Sequence, residues 1–401
     1  MHDVVVVGGG PVGACAGALL ARSGLSVALL EPHPPPAPGT GGPPDSRVVA
    51  LSRASERILR AAGAWEHIPP QHLSPYERMR IWHERAGPFS ADVLVFDAAD
   101  AGEPNLGYIL ENRRLQHALL EAFRAAGGTL EPLAFAGLER GAAALTVLTG
   151  GAPLAARLLL GADGAHSAVR AAAGLPVQLS AYRQRALVAN VATARAHERT
   201  AWQRFLVDGT LAFLPLADGT SSIVWSADEA RAAALLSLDA PQFNAALEAA
   251  ADGALGATQL LTARRDFALH RLAAPHYVTE HVALLGDAAH VVHPLAGQGV
   301  NLGLLDAAVL AEALADARTR REDLGSLAVL RPYERWRKSE VALMAAAIDA
   351  FDRLLAHGQG PLARLAQHGL GLVNRSEELR RFFIRRALGV AGELPRLVRR
   401  A

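Results

Sequence analysis

The chain has 401 residues, a formal net charge of +1 and 51% apolar residues. That is enough for two or three domains or one large α/β unit with a sizeable core, and it is too balanced in charge for a chain-wide nucleic-acid surface. The single cysteine, Cys15, excludes an intramolecular disulfide and fits a reducing cytosol.

The chain opens with an uncharged run, Val4 to Ala21, that imitates a signal peptide or a membrane span. Asp3 stands where a signal would carry positive charge, and three glycines and a proline interrupt the run, so neither reading fits. Instead, the spacing predicts a buried strand over Asp3–Val7, a helix from about Pro11 to Ser23 stopped by Gly24, and a strand over Ser26–Leu30 ended by Glu31. Residues 32–44 are dense in Pro and Gly and read as a surface loop.

Helices are expected over Ser52–Ala62, Asn112–Ala126 and Ala240–Ala251. Strands are expected over Arg78–His83, Val93–Phe96 and Arg157–Leu160. From Arg183 to Ser226 the pattern is mostly strands, with hairpin turns at the Asp-Gly pairs 208–209 and 218–219. A last strand, Val282–Leu285, precedes a chain that reads as helical after Asp306.

Three motifs carry chemistry. Gly8-Gly9-Gly10-Pro11-Val12-Gly13 is a GxGxxG between a strand and a helix. Gly8 permits the tight turn, Gly10 lets a pyrophosphate approach the backbone, and Gly13 lets helix and strand pack closely, with Gly17 extending the small face. Glu31, at the end of the second strand, is placed to accept ribose hydroxyls. This motif indicates a dinucleotide without separating FAD from NAD. The second motif, "GADGAHSAVR" (161–170), reads as a strand end and a turn in which Asp163 or Ser167 caps a short helix.

The third, "GDAAHVVHPLAGQGVNLG" (286–303), holds two histidines and four glycines. A metal site would need more ligands and would leave the glycines unexplained. Something large lying against the backbone requires residues without side chains, which accounts for them, and a helix starting near Gly299 would aim its N–H groups at it. His290 and His293 are then polar spacers.

The three motifs in this order resemble the single-component FAD-dependent aromatic-ring hydroxylases. Four further stretches, 45–68, 111–122, 211–226 and 293–314, together with the tail 333–389, are similar to the ubiquinone-biosynthesis members of that group. The resemblance covers nearly the whole chain. It implies an α/β fold: a Rossmann-like FAD-binding domain (1–75, 108–178 and 265–325), an inserted antiparallel-sheet substrate domain (76–107 and 179–264) and a C-terminal helical region (326–401). It places Gly8, Gly10, Pro11, Gly13, Glu31, Arg47, Asp163, Gly286, Asp287, Pro294, Gly297, Gly299, Val300 and Asn301 around FAD. Arg113 or Arg114 would reach the cofactor, the other being a solvated charge. His293, Pro294, Gly297 and Gln298 would face the flavin. The acidic residue of "GDAAH" varies in the family, so Asp287 does not choose among its members.

The implied reaction is hydroxylation of a polyprenylated phenol or benzoquinol through a C4a-hydroperoxyflavin, with O2 as co-substrate and NAD(P)H or another reductant as transient donor. Alternatives are a related flavin reductase, a hydroxylase of a soluble aromatic acid, and a non-catalytic flavoprotein organising a lipid-pathway complex. The expected partners are the lipid substrate and a multienzyme complex of the pathway, with no nucleic acid and no metal. A cytosolic protein acting on a bilayer lipid needs a membrane contact. The candidate is residues 379–400, where Phe382, Phe383, Leu388 and Val390 gather among Arg380, Arg381, Arg385 and Arg386. An ordinary packed helix and docking onto other enzymes are the competing readings of that segment.

Overall fold

The computed structural model describes residues 1–36, 45–141, 144–293, 297–351, and 376, 378, 381, 384, 388, 389 and 394–399. The chain begins β1 (His2–Val7), α1 (Pro11–Arg22), β2 (Val27–Leu30), β3 (Val48–Ser52) and α2 (Arg53–Ala61). It continues through β4 (Ser74–Tyr76), β5 (Arg78–His83), β6 (Leu94–Asp97), β7 (Gly107–Glu111), α3 (Asn112–Ala125), β8 (Thr129–Glu131), β9 (Phe135–Arg140), β10 (Leu145–Thr149), β11 (Leu154–Gly161) and α4 (Ala168–Ala172). Next come β12 (Gln178–Thr193), β13 (Thr200–Leu206), β14 (Gly209–Pro215), β15 (Ser221–Asp228), α5 (Glu229–Ser237), α6 (Ala240–Ala250), β16 (Thr258–Leu260), β17 (Arg265–Ala273), β18 (Val278–Thr279), β19 (Val282–Leu284), β20 (His290–Val291), α7 (Gln298–Thr319) and α8 (Leu327–Phe351).

The first sheet runs β18-β19-β11-β1-β2-β8, with β9 and β10 paired off β11. From β19 to β8 every pair is parallel. Parallel strands must be covered on both faces, which is why β1 and β2 read as unbroken apolar runs: Val4–Val7 and Val27–Leu30 are buried. Strand order reverses at β1, so a crevice opens at its carboxyl end, where Gly8 begins the glycine motif. Gly8 adopts φ +104°, and a Cβ there would lie 2.4 Å from Ala162 O. At Gly13 a Cβ would lie 2.0 Å from Gly8 O, so α1 sits on β1 at a distance only glycine permits.

The second sheet runs β20-β17-β12-β15-β14-β13-β5-β6, with β16 paired to β12. It is antiparallel except where β5 meets β13 in parallel, because 78–83 enters from a separate crossing of the chain. Of the two expected hairpin turns, the second places Gly219 in the left-handed region (φ +86°). The first turns at Val207-Asp208, since Leu206 pairs with Gly209. α5 and α6 cover one face of this sheet, burying Trp225, Phe243 and Leu247. β17 and β20, expected with the cofactor domain, pair into this second sheet. A third, small sheet, β3-β7-β4, went unread in the sequence.

After Asp306 the described chain is helical apart from short ends. Most of the tail, including Phe382, Phe383, Val390, Arg380, Arg385 and Arg386, lies outside the described residues; Arg381 donates from Nε to Asp100 O at 3.2 Å. Leu388 is buried (1% exposed) beside Ile384 (0%) in a cluster with Phe96, Phe205 and Leu302, which agrees at that position with the packed reading of the tail rather than the interfacial one.

Candidate functional site

The carboxyl end of β1, the start of α1 and the start of α7 converge on one crevice. Gly10 caps α1 with no side-chain hydrogen bond, and the first turn holds no acidic residue. Its N–H groups and the positive end of the helix dipole are therefore free for an anion. A Cβ on Gly10 would meet nothing within 4 Å, so the space in front of it belongs to no part of the protein. Glu31 closes back on the loop: Gly9 N–H donates to its Oε2 at 2.8 Å and His33 N–H to its Oε1 at 3.0 Å. A carboxylate has about four acceptor positions, so two remain for sugar hydroxyls. Gln116, which sequence reasoning passed over, donates to Gly9 O at 2.8 Å and fixes the loop from α3.

In the second motif both capping readings hold together. Asp163 Oδ2 accepts from Val169 N–H at 3.1 Å, and Ser167 Oγ from Arg170 N–H at 2.9 Å. Asp163 Oδ1 is buried with no partner among the described residues. Arg170, also missed, reaches across to the third motif and donates to Ala288 O at 2.8 Å while holding Ala165 O at the same distance.

The third motif is anchored by Asp306, which the sequence offered only as a helix residue. Its side chain is completely buried. Oδ2 accepts from Gly286 N–H at 2.9 Å and bonds His290 Nε2 at 2.6 Å, and Oδ1 accepts from Arg337 Nε at 2.6 Å. Burial pushes this carboxyl up, but His290 and Arg337 outweigh it and hold it below the usual carboxylate range. Gly286 has φ +56°, and with Gly303 it clasps Val12 of α1: a Cβ on Gly303 would lie 2.4 Å from Val12 Cγ2. Asp287 then projects outward. Burial by surrounding protein raises its pKa, opposed by His290, His270 and Arg47, although the side chain itself is open to solvent at the crevice. No described residue donates a hydrogen bond to it.

α7 starts at Gly297 (φ +62°), again with no side-chain cap and no acidic residue in its first turn. A Cβ on Gly299 would meet nothing, whereas one on Gly297 would lie 3.2 Å from Ala50 Cβ. Val300 is partly buried against the core beneath. Asn301 differs from expectation. Its Oδ1 accepts from Ser52 N–H and Ser55 Oγ, and its Nδ2 donates to Ala50 O and Gly297 O. Its groups are committed to tying α7 to β3 and α2, so it shapes the site without serving a ligand. His293 is likewise turned away: 1% exposed, its Nε2 bonds Gln184 at 2.9 Å and its ring meets Tyr182 edge-on. The two histidines thus diverge to separate partners. Arg113 pairs with Asp45 at 3.3 Å and Arg114 with Glu111 at 3.1 Å. Pro294 lies outside the described residues, and Gln298 is half-buried at the first turn of α7.

Beside Gly297 lies a cavity of about 200 Å3. Arg47, Val48, Ala50, Tyr76 and Ile109 form one wall, and Met79, Val188, Leu214, Val224 and Phe267 of the second sheet form much of the other. Burial pushes the Tyr76 phenol up to about 12, so at neutral pH it is a hydrogen-bonding group and not a base.

The crevice fits FAD on these observations. Two uncapped helix N-termini, two glycines facing open space, an orphaned Asp163 oxygen and an unbonded Asp287 carboxylate all call for a large polar ligand.

Glycine substitutions should separate packing from binding. Gly10→Val and Gly299→Leu should fold with near-normal thermal midpoints yet lose FAD or its normal absorption spectrum. Gly13→Ala should lower the midpoint or fail to fold, because Gly8 O occupies the Cβ position. Full FAD content in Gly10→Val would contradict the assignment. Asp306→Asn should cost roughly 3–5 kcal/mol, the price of leaving the buried Arg337 charge unpaired. A carboxyl with a depressed folded pKa contributes stability above its unfolded pKa of about 4 and loses it as pH falls toward the folded value. Urea titrations should therefore show a shallower acid loss in Asp306→Asn than in the wild type.

The model of the "FAD binding domain" family matches residues 1–344. The chain is 36% identical over 392 residues to the 3-demethoxyubiquinol 3-hydroxylase of Escherichia coli K12, covering 97% of this chain and 98% of that protein. It is 36% identical over 403 residues to the ubiquinone hydroxylase UbiL of Rhodospirillum rubrum, covering 99% and 92%. The human mitochondrial ubiquinone biosynthesis monooxygenase COQ6 is 34% identical over 431 residues, covering 95% and 91%. Among solved structures, p-nitrophenol 4-monooxygenase PnpA of Pseudomonas putida DLL-E4 shares the fold, with a TM-score of 0.77 at 21% identity over 97% of this chain and 98% of that one. With its glycine crevice, its clasped third motif and its near end-to-end match to these relatives, the chain belongs to the FAD-dependent hydroxylases of the ubiquinone-biosynthesis family.

Proposed function

We propose that this enzyme hydroxylates the aromatic ring of a polyprenylated phenol or benzoquinol, using FAD, O2 and a reduced donor such as NADPH. The observation that carries the reading is the largely apolar cavity beside the uncapped start of α7 at Gly297. When bound, FAD supplies activation of O2 and delivery of one oxygen atom to an electron-rich ring.

The chain's residues bind, orient and exclude water. The α1 amides and Gly10 receive the pyrophosphate. Glu31 and Asp287 accept sugar and ribitol hydroxyls, with Gly8, Pro11, Gly13, Asp163 and Gly286 shaping the backbone around them and Arg47 adding positive charge. Gly297, Gly299 and Val300 would hold the flat ring at the start of α7. Met79, Val188, Leu214 and Val224 keep water from the reacting centre. Among the described residues lining the cavity there is no carboxylate or imidazole, which agrees with a reaction driven by the substrate's own phenol electrons. Among the described lining residues Arg47 is the single cation, a weak provision for an aromatic acid.

The same reading divides the labour along the chain. Residues 1–75, 108–178 and 265–325 hold FAD, residues 76–107 and 179–264 hold substrate with β17 and β20 joining them through the second sheet, and 326–401 brace the assembly through Arg337. We further infer that the enzyme meets its bilayer substrate through the arginine-rich segment 379–400 or a pathway partner. Among the described residues no helix is long and apolar enough to cross a membrane. Removing the whole tail would strip Ile384, Leu388 and Val398 from the core, so charge is the better probe.

With a short-chain 2-prenylphenol and NADPH under 18O2, the product ring should gain one labelled oxygen. Unlabelled product, or peroxide alone, would overturn the hydroxylase reading. In flotation assays the wild type should rise with anionic vesicles at low salt, and a protein carrying Arg380→Glu and Arg386→Glu should rise less. A wild type that stays in solution makes a protein partner the better account.

A further inference from the structure

The second sheet carries another hollow, on the face away from the substrate cavity. Gln203, Ala212 and Val224 form one register row across β13, β14 and β15 and line the substrate cavity. The neighbouring row, Arg204, Leu211 and Trp225, faces the opposite way, toward α5 and α6. There a cavity of about 300 Å3 opens between the sheet and α6. Arg204 and Trp225 line it from the sheet and Ala246 from α6, while Glu84, Asp208 and Arg231 stand more open around it. The sheet itself separates this cavity from the flavin and from the substrate.

Arg204 is 8% exposed and Trp225 1%. The Nη1 of Arg204 donates to the carbonyls of Ala249 and Ala250 at the end of α6, at 3.3 and 2.8 Å, and its Nη2 to Glu84 O at 3.2 Å. Its Nε has no hydrogen-bond partner among the described residues, and neither has Trp225 Nε1. A buried guanidinium with an N–H unused, lining the same cavity as an unused indole N–H, is unfavourable as it stands. Leucine and phenylalanine would pack at these two positions without that cost. A second guanidinium has capacity to spare. Arg231 lies over the Trp225 ring at 5.8 Å and stands 3.7 Å from Asp208, too far for a hydrogen bond.

We propose that this cavity is a second binding site and takes a small organic monocarboxylate. Its two oxygens accept from Arg204 Nε and Trp225 Nε1, Arg231 adds charge from above, and the short apolar body rests on Ala246. Two spare donors match the two oxygens of a carboxylate. A phosphate has more oxygens than the cavity has free N–H groups, and its second charge would meet Glu84 and Asp208. The site is independent of the hydroxylation chemistry, so it stands or falls apart from the phenol reading.

The test titrates sodium butyrate into the FAD-loaded enzyme, labelled with 15N in its five tryptophan indoles, and follows their N–H signals by NMR. The Trp225 signal is identified as the one missing from Trp225→Phe. It should shift saturably at about millimolar butyrate, in keeping with two hydrogen bonds to a charged group. The signal of Trp202, which lines the substrate cavity, should stay in place. Butyramide and inorganic phosphate at the same concentration should leave the Trp225 signal unmoved. Ala246→Leu fills the cavity without removing a donor and should abolish the shift with flavin content unchanged. Arg231→Gln, at an exposed position, should weaken butyrate binding about three-fold or more. A Trp225 signal that ignores butyrate overturns the proposal, as does an equal response to butyramide or to phosphate. A shift confined to Trp202 puts the acid in the substrate cavity and overturns it too. So does a full shift retained in Ala246→Leu, or, should that variant fail to fold, an unchanged butyrate affinity in Arg231→Gln.

Discussion

A single buried carboxylate holds the cofactor crevice in shape. Asp306 sits on α7 with no solvent contact, and it reaches three separate parts of the chain: the Gly286 amide, the His290 ring and the Arg337 guanidinium of α8. Such a group is costly to bury unless every lone pair is used, and here both oxygens are bonded. The result is geometric specification. With Gly286 pinned and φ +56° imposed, the chain turns so that Asp287 points out while Ala288 and Ala289 remain in the core. α8, remote in sequence from the glycine motifs, thereby becomes part of the site's support.

Around that anchor the three motifs are tied to one another. Arg170 of the second grips the carbonyl of Ala288 in the third. Val12 of the first is held between Gly286 and Gly303 of the third. Ala162 of the second lies against Gly8 of the first so closely that no side chain fits. The motifs are far apart in the chain because each supplies one wall. The glycines mark both kinds of contact: Gly8, Gly13 and Gly303 where protein meets protein, Gly10 and Gly299 where the space is left for something else.

The substrate side is built differently. The second sheet buries its outer face under α5 and α6 and turns its inner face toward a cavity, so one set of strands serves as core wall and binding wall at once. Asn301 joins the halves by saturating its amide on β3, α2 and its own helix start. That arrangement sets how near the start of α7 stands to the cavity wall formed by Val48 and Ala50.

The sequence by itself determined the βαβ opening, the packing roles of Gly8 and Gly13, the caps at Asp163 and Ser167, the helices α1, α2, α3 and α6 and the strands β1, β2, β5, β6 and β19 to within a residue or two, and through the ordered motifs the family. These are local: a glycine turn, an apolar period or a cap is decided by residues within a few positions of one another. Tertiary structure alone decided which polar residues are left open to the crevice and which are consumed by the fold. Asn301 and His293 sit inside the third motif yet are consumed by Ser52, Ser55 and Gln184, partners more than a hundred positions away. Asp306, Arg170, Arg337 and Gln116 looked like ordinary helix residues because nothing in their neighbourhood hints at what they reach. β17 joined the second sheet and Leu388 went inward for the same reason: strand pairing and burial are settled by distant surfaces meeting, which no local window of sequence contains.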